Sequence, residues 1–76
     1  MVHAFIMVKT AAGKSEELLD SIRGLGPVSE AHIVAGNYDI ITEVETEEVY
    51  DVLHTVVGKL QKLDGIADTK TYICLQ

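Results

Sequence analysis

Residues 32–44 read HIVAGNYDIITEV, in which Gly36-Asn37-Tyr38-Asp39 separates two runs of strand-forming residues. A Gly-Asn pair between two such runs predicts a tight hairpin, because both residues tolerate the positive φ values that hairpin turns require. A hairpin does not explain why a phenol and a carboxylate follow directly. The segment is therefore both the centre of the predicted fold and a candidate site.

Strand and helix patterns flank this hairpin on both sides. Each helical segment carries apolar residues at helical spacing, with acids in its first turn. In chain order the predicted strands and helices cover 2–9, 14–25, 28–35, 38–45, 46–63 and 66–75. This β-α-β-β-α-β order predicts a ferredoxin-like α+β fold, a four-stranded antiparallel sheet with two helices on one face.

The apolar positions predict which surfaces are buried. The first strand is apolar on both faces, so we expect the helices to cover one face and a second subunit to cover the other. The predicted helical stripes are Leu18, Leu19, Ile22 and Leu25 in the first helix, and Val49, Val52, Leu53, Val56, Leu60 and Leu63 in the second, which Thr46 is expected to cap.

Length and composition also favour self-association. A chain of 76 residues forms one domain whose core supplies only a few kcal/mol of net stability. Cys74 is the only cysteine, so neither an internal disulfide nor a cysteine-based zinc cluster can form. Since 47% of the residues are hydrophobic, some apolar surface is expected to meet another copy.

The charge and hydropathy of the chain exclude two classes of partner. A net charge of −6, with the basic residues scattered, argues against nucleic-acid binding, which depends on Lys and Arg neutralising phosphates. No apolar run reaches the roughly 18 to 20 residues of a membrane span, and the first residues do not form a signal peptide. We expect a soluble, cytoplasmic protein without a membrane partner.

Other candidate motifs are weak. The segment 11–15, AAGKS, resembles the end of a phosphate-binding loop, but Val8 stands where the pattern needs glycine. His3, His32 and Asp39 lack the spacing of a metal site, and Cys74 has no base to activate it. The sequence predicts no catalytic residue, metal or cofactor.

The Gly36-Asn37-Tyr38-Asp39 turn has chemistry suited to a zwitterion. Exposed backbone N–H groups at a glycine turn can hold a carboxylate, and the Asp39 carboxylate can hold an ammonium group. Thr69 and Thr71 in the last strand share one face, because strand side chains repeat with a period of two, and their hydroxyls could complete a polar wall. The alternative is that Asp39 only caps the turn and that the threonines are ordinary strand residues.

The segments 34–39, VAGNYD, and 65–73, GIADTKTYI, resemble the effector-binding domain of the leucine-responsive and asparagine (Lrp/AsnC) transcriptional regulators, called the RAM domain. The resemblance extends over essentially the whole chain. Full regulators of this family carry a helix-turn-helix DNA-binding domain ahead of this module, and 1–76 begins at the first strand. The resemblance therefore implies a single RAM domain without a DNA-binding domain.

The resemblance also implies partners and a ligand. RAM domains pair through their sheets as a dimeric α+β barrel, assemble into rings that commonly hold eight subunits, and bind amino acids between dimers. By motif position, Gly36, Asn37, Tyr38 and Asp39 form the effector turn, and Thr69 and Thr71 contribute from the last strand, of the same or a neighbouring subunit. The implied function is a non-enzymatic amino-acid sensor that acts through its own assembly or with full-length Lrp/AsnC regulators.

Two alternatives to the sensor remain open at this level. One is a small dimeric α+β barrel enzyme of the monooxygenase or isomerase kind, with Phe5 and Met7 lining a cavity. The other is an oligomerisation domain whose ligand turn has no function. The sequence does not name the effector and does not distinguish a dimer from a ring.

Overall fold

Four strands and two helices make up the computed structural model, which describes residues 1–75. The first half contains strand β1 (Val2–Thr10), helix α1 (Ser15–Arg23) and strand β2 (Val28–Ile33). The second half contains strand β3 (Ile40–Thr46), a π-helical segment (Asp51–Val56), helix α2 (Val57–Gln61) and strand β4 (Ile66–Ile73). The element order agrees with the prediction.

The strands form one sheet in the order β2-β3-β1-β4, and each neighbouring pair is antiparallel. This is the ferredoxin-like arrangement, in which the two central strands are the first and third in the sequence. Strand β1 therefore pairs with β3 on one side and with β4 on the other, and both partners are distant from it in the sequence. The predicted fold class is confirmed.

The hydrophobic core lies between the helices and one face of the sheet. Along β1, residues Ala4, Ile6 and Val8 are fully buried, and they alternate with half-buried residues that point to the other face. From the helices the core receives Leu18, Ile22, Val52, Val56 and Leu60. The helices thus cover one face of the sheet, and within a single chain the second face stays open.

The hairpin is wider than predicted. Strand β2 ends at Ile33 and β3 begins at Ile40, and the Val34 N–H donates to the Asp39 carbonyl across the intervening residues at 2.8 Å. Asn37 does not have a positive φ, so the predicted two-residue turn is wrong. The physical reason is that the Asp39 N–H bonds to the Val8 carbonyl at 2.9 Å, which ties the turn to the neighbouring strand instead of closing it on itself.

The second helix departs from the predicted regular α-helix. Its first part is π-helical, with a wider turn that changes which side chains face the sheet. Val52, Val56 and Leu60 are buried as predicted, but Val49 and Leu53 are 43% and 47% exposed. The predicted stripe is therefore correct at its centre and wrong at these two positions.

The predicted cap of this helix is also wrong. Thr46 is the last residue of β3, and its hydroxyl donates to the Glu48 carbonyl at 2.8 Å, whereas a capping side chain accepts from a helix N–H. Within residues 1–75 no helix has both the length and the apolar character needed to cross a membrane.

Candidate functional site

The open face of the sheet carries the candidate site. Cross-strand neighbours share a face, so the pairs Phe5–Tyr72 and Met7–Ile41 both lie on the side away from the helices. Tyr72 lies on the edge strand β4 and is 54% exposed. The open face is thus partly apolar and unprotected in the single chain.

The turn between β2 and β3 forms one wall of a cavity of about 350 Å³ at the edge of this face. Turn backbone and polar side chains stand on one side, and apolar side chains of the sheet stand on the other. The lining residues are Met7, Val34, Ala35, Gly36, Asn37, Tyr38, Ile41 and Tyr72. Three of the predicted site residues therefore come together here.

The backbone of the turn offers unused donors. Among residues 1–75, the N–H groups of Ala35, Gly36, Asn37 and Tyr38 donate to no protein acceptor. The Asn37 carbonyl accepts a hydrogen bond from Lys9 Nζ at 2.9 Å, which places a positive charge beside the turn. Unpaired N–H groups next to a cation favour a negatively charged group.

Asp39 lies beside the cavity and does not line it. Its Oδ2 accepts a hydrogen bond from the Thr10 N–H at 2.8 Å and a second from the Thr10 hydroxyl at 3.2 Å. The backbone hydrogen bond from Thr10 holds the pKa of the Asp39 carboxyl below its ordinary value, with smaller lowering effects from the Thr10 hydroxyl and the Lys9 charge, while burial acts in the opposite direction. Asp39 thus fastens the turn to β1 as an ionised carboxylate.

The two threonines of β4 lie elsewhere in the single chain. Thr71 stands opposite Ile6 and Thr69 opposite Val8, so both point to the helix-covered face, as their shared periodicity predicts. Strand β1 separates them from the turn, and Thr69 lines a different depression together with Gln61, Ile66, Ala67 and Asp68. One chain does not bring these hydroxyls to the Gly36–Asp39 turn.

Sequence reasoning missed most of the apolar wall. Val34, Ile41 and Tyr72 were not candidates, and Met7 was a cavity residue only under the enzyme alternative. The usable signal for Met7, Ile41 and Tyr72 is strand parity, since each occupies a position of β1, β3 or β4 that faces away from the core, whereas Val34 lies just past the end of β2. Parity becomes informative only when the pairing register of the strands is known.

The weak metal candidates do not meet. His3 Nε2 lies 2.7 Å from Glu43 Oε2, and His32 Nε2 lies 3.1 Å from Glu30 Oε1. Asp39 is occupied by Thr10 at the turn. His3, His32 and Asp39, which the sequence offered as a weak metal site, therefore each have a different partner in the structure.

A protein-family model and several known proteins match this chain over most of its length. A family model described as the Lrp/AsnC ligand binding domain matches residues 3–76. An uncharacterized HTH-type transcriptional regulator of Pyrococcus furiosus is 29% identical over 73 residues, which cover 92% of this chain and 49% of the regulator. The chain spans about half the length of this curated relative, and less of several others.

Two solved structures show the same architecture. FFRP-DM1 superposes with a TM-score of 0.92 at 39% identity, and the match covers 99% of this chain and 100% of that one. Escherichia coli AsnC superposes with a TM-score of 0.90 at 30% identity, and the match covers 99% of this chain and 51% of AsnC. The match therefore extends over nearly the whole of both chains for FFRP-DM1, and over about half of the longer AsnC chain.

Proposed function

We propose, from the premise that this chain belongs to the Lrp/AsnC ligand-binding domain family, that it binds a free amino acid at the Gly36–Asp39 turn and couples binding to self-association. Members of this family are ligand-binding domains of transcription regulators. The proposal adds the class of ligand, the residues that contact it and the way in which binding is transmitted.

The observation that carries the proposal is the set of unpaired N–H groups in the residues that line the cavity. Four consecutive amides, from Ala35 to Tyr38, are free to bind the α-carboxylate of an amino acid. Lys9 adds a favourable charge at 2.9 Å from the Asn37 carbonyl. Hydrogen bonds to a charged acceptor are stronger than neutral ones, so this turn favours an anionic group over water.

Asp39 supplies the opposite charge. Its Oδ2 is taken by Thr10, while its Oδ1 accepts no hydrogen bond within the described part of the chain and is available to an ammonium group. Because the pKa of this carboxyl is lowered, Asp39 is ionised at neutral pH. In this proposal, Thr69 and Thr71 contribute only as residues of a neighbouring copy.

The remaining walls select the side chain of the ligand. Met7, Val34 and Ile41 present hydrocarbon to the cavity, and Tyr72 presents an aromatic ring. Burying an apolar side chain against such walls is favourable by about 25 cal/mol per Å² removed from water. We therefore expect amino acids with apolar side chains to bind better than charged ones.

In this proposal, ligand binding acts by changing the self-association of the chain. The open face around Phe5 and Tyr72 is apolar enough to pair with a second copy as a homodimer, and dimers could assemble into an octameric ring or join full-length Lrp/AsnC regulators. A ligand held at a site that is complete only in the assembly shifts the equilibrium by its difference in affinity between the two states.

A thermal-shift panel with each free amino acid at about 10 mM tests the binding. A ligand at one hundred times its Kd stabilises the folded state by about 2.7 kcal/mol. For a domain of this size, each kcal/mol raises the midpoint by roughly 4 to 8 °C. The expected result is a selective rise with a few apolar amino acids.

Two variants localise the effect. Tyr38→Ala removes a cavity wall and is expected to abolish the rise. Glu30→Gln changes an exposed side chain on the same sheet face, outside the cavity, and is expected to retain it. A flat panel, or an equal rise in Tyr38→Ala, would contradict the proposed site.

The enzyme alternative has less support. The Pyrococcus furiosus relative is described as an HTH-type transcriptional regulator and Escherichia coli AsnC as a regulatory protein, and the cavity combines unpaired amides with hydrocarbon walls. That arrangement suits the binding of a zwitterion. A cavity built for oxidation or isomerisation would need an activated base or nucleophile at its wall.

A further inference from the structure

We propose that His3, Glu43 and Glu45 form a binding site for a divalent transition-metal ion on the open face of the sheet. The site is separate from the amino-acid turn. His3 lies near the beginning of β1, whereas Met7 of the cavity lies four residues further along, which is about 13 Å at the rise of a β-strand. The metal site therefore does not depend on the proposed effector.

The register of the two central strands creates the cluster. His3 in β1 stands directly opposite Glu45 in β3, and Glu43 follows on the same face two residues away. One potential ligand atom from each residue lies within 4.8 Å of the others. An imidazole nitrogen and two carboxylate oxygens thus converge from adjacent strands.

The His3 ring and the backbone of His3 and Glu45 are held by their surroundings. The His3 ring stacks on Phe5, with the ring centroids 5.5 Å apart and an interplanar angle of 23°. The His3 carbonyl accepts from the Cys74 N–H at 2.9 Å, and the Glu45 N–H donates to the Pro27 carbonyl at 3.0 Å. Ligands on paired central strands lose little freedom when an ion binds, which favours affinity.

The distances fit an ion after a small adjustment. Ligands bound at about 2.1 Å to one ion stand ~3.0 Å apart when adjacent in an octahedron and ~3.4 Å apart in a tetrahedron. The present His3–Glu43 distance of 2.7 Å needs only to open slightly, and Glu45 needs only to approach. Side-chain rotation is sufficient, because Glu45 is exposed and His3 and Glu43 are only partly buried.

The local charge also favours a cation. Two carboxylates share this patch, and in the described part of the chain neither forms an ion pair with a lysine or arginine. The side chain closest to these acids is the His3 ring, whose Nε2 lies 2.7 Å from Glu43 Oε2. A divalent ion bound between Glu43 and Glu45 would be attracted by both carboxylates.

The donor set selects the kind of ion. One imidazole with two carboxylates and no thiolate suits Zn²⁺, Mn²⁺, Fe²⁺, Co²⁺ or Ni²⁺, whereas Mg²⁺ and Ca²⁺ prefer oxygen ligands alone. Three protein ligands leave further coordination positions for water. Zn²⁺ is the appropriate probe, because it has no redox chemistry and accepts four ligands readily.

The test is isothermal titration calorimetry of the tag-free, chelator-treated protein with ZnCl₂ at neutral pH. We expect one ion per chain, and an affinity at least tenfold lower in both His3→Gln and Glu45→Gln. Glu45 is exposed, so Glu45→Gln leaves the core intact and stays informative if His3→Gln is unstable. Mg²⁺ is expected to bind far more weakly than Zn²⁺.

His32→Gln is the matched control. His32 is also exposed on the open face and also pairs with a glutamate, Glu30, at 3.1 Å, but it does not belong to the three-residue cluster. This variant is expected to bind Zn²⁺ as the parent does. An absence of binding, unchanged affinity in both ligand variants, or an equal loss in His32→Gln would overturn the proposal.

Discussion

Asp39 is the residue on which the local shape of the turn depends. Its backbone N–H bonds to Val8, and its carboxylate takes both the N–H and the hydroxyl of Thr10. The Thr10 hydroxyl also lies 2.8 Å from the Ser15 hydroxyl at the start of α1. The Asp39 carboxylate therefore joins the turn to the end of β1, and the Thr10 hydroxyl links that contact to the start of α1.

Replacing Asp39 by Asn is expected to lower the midpoint of thermal unfolding at neutral pH. The pKa of Asp39 is lowered in the folded state, so its contribution is fully present above the unfolded value of about 3.9 and is lost as pH falls through the folded pKa. The difference between parent and variant should therefore shrink in acid. Thermal melts over a series of pH values measure it.

Asp20→Asn is the control for this series, since Asp20 is an exposed carboxylate of α1. It should melt like the parent throughout. An Asp39→Asn deficit that stays the same from neutral pH to below the lowered pKa would show that the ionised carboxylate is not the source of the stability.

At the scale of elements, the second helix shows how tertiary packing changes an apolar pattern. Its π-helical start buries Val52 and Val56 and leaves Leu53 outside, and α2 then buries Leu60. Two leucines of the predicted apolar stripe thus differ in burial, since Leu53 is 47% exposed and Leu60 is fully buried.

Leu60→Ala is expected to reduce the free energy of unfolding by about 2 to 5 kcal/mol, because it removes buried hydrocarbon and leaves a cavity. Leu53→Ala should change it by less than about 0.5 kcal/mol, as a surface substitution does. Urea unfolding of both variants measures the difference. Equal losses would mean that the exposed leucine is covered in solution and that the helix packs differently.

At the scale of the whole molecule, the two faces of the sheet differ in what covers them. The helices bury the face that carries Ile6, while the face that carries Phe5 and Tyr72 is open. The cavity proposed to bind an amino acid and the proposed metal site lie at opposite ends of this open face. A second copy placed there would sit against both sites.

Tyr72→Asp is expected to weaken self-association by placing a charge on the open face beside Phe5, while the core stays intact because Tyr72 is 54% exposed. Size-exclusion chromatography with light scattering measures the mass. Gln61→Asp, an exposed position on the helical side, should keep the mass of the parent. A monomeric parent, or an unchanged mass in Tyr72→Asp, would contradict pairing through this face.

The residues that the family resemblance predicts as one site lie in different places in the single chain. Gly36, Asn37 and Tyr38 line one cavity as a group, which agrees with their prediction as one turn. Asp39 stands beside the cavity, and Thr69 and Thr71 lie on the other face within one chain. Contacts between copies are a property of the assembly, and no periodicity within one chain encodes them.

The sequence by itself determined the order of the elements, the fold class and the central core positions, because helical and strand periodicities are local and the ferredoxin-like topology follows from their order. Only the tertiary structure decided the shape of the turn, the π-helical start of the second helix and the meeting of His3 with Glu43 and Glu45. These features depend on strand register and on hydrogen bonds between residues distant in sequence. A local pattern cannot specify such pairings, because shifting a strand by one residue would turn every side chain to the opposite face.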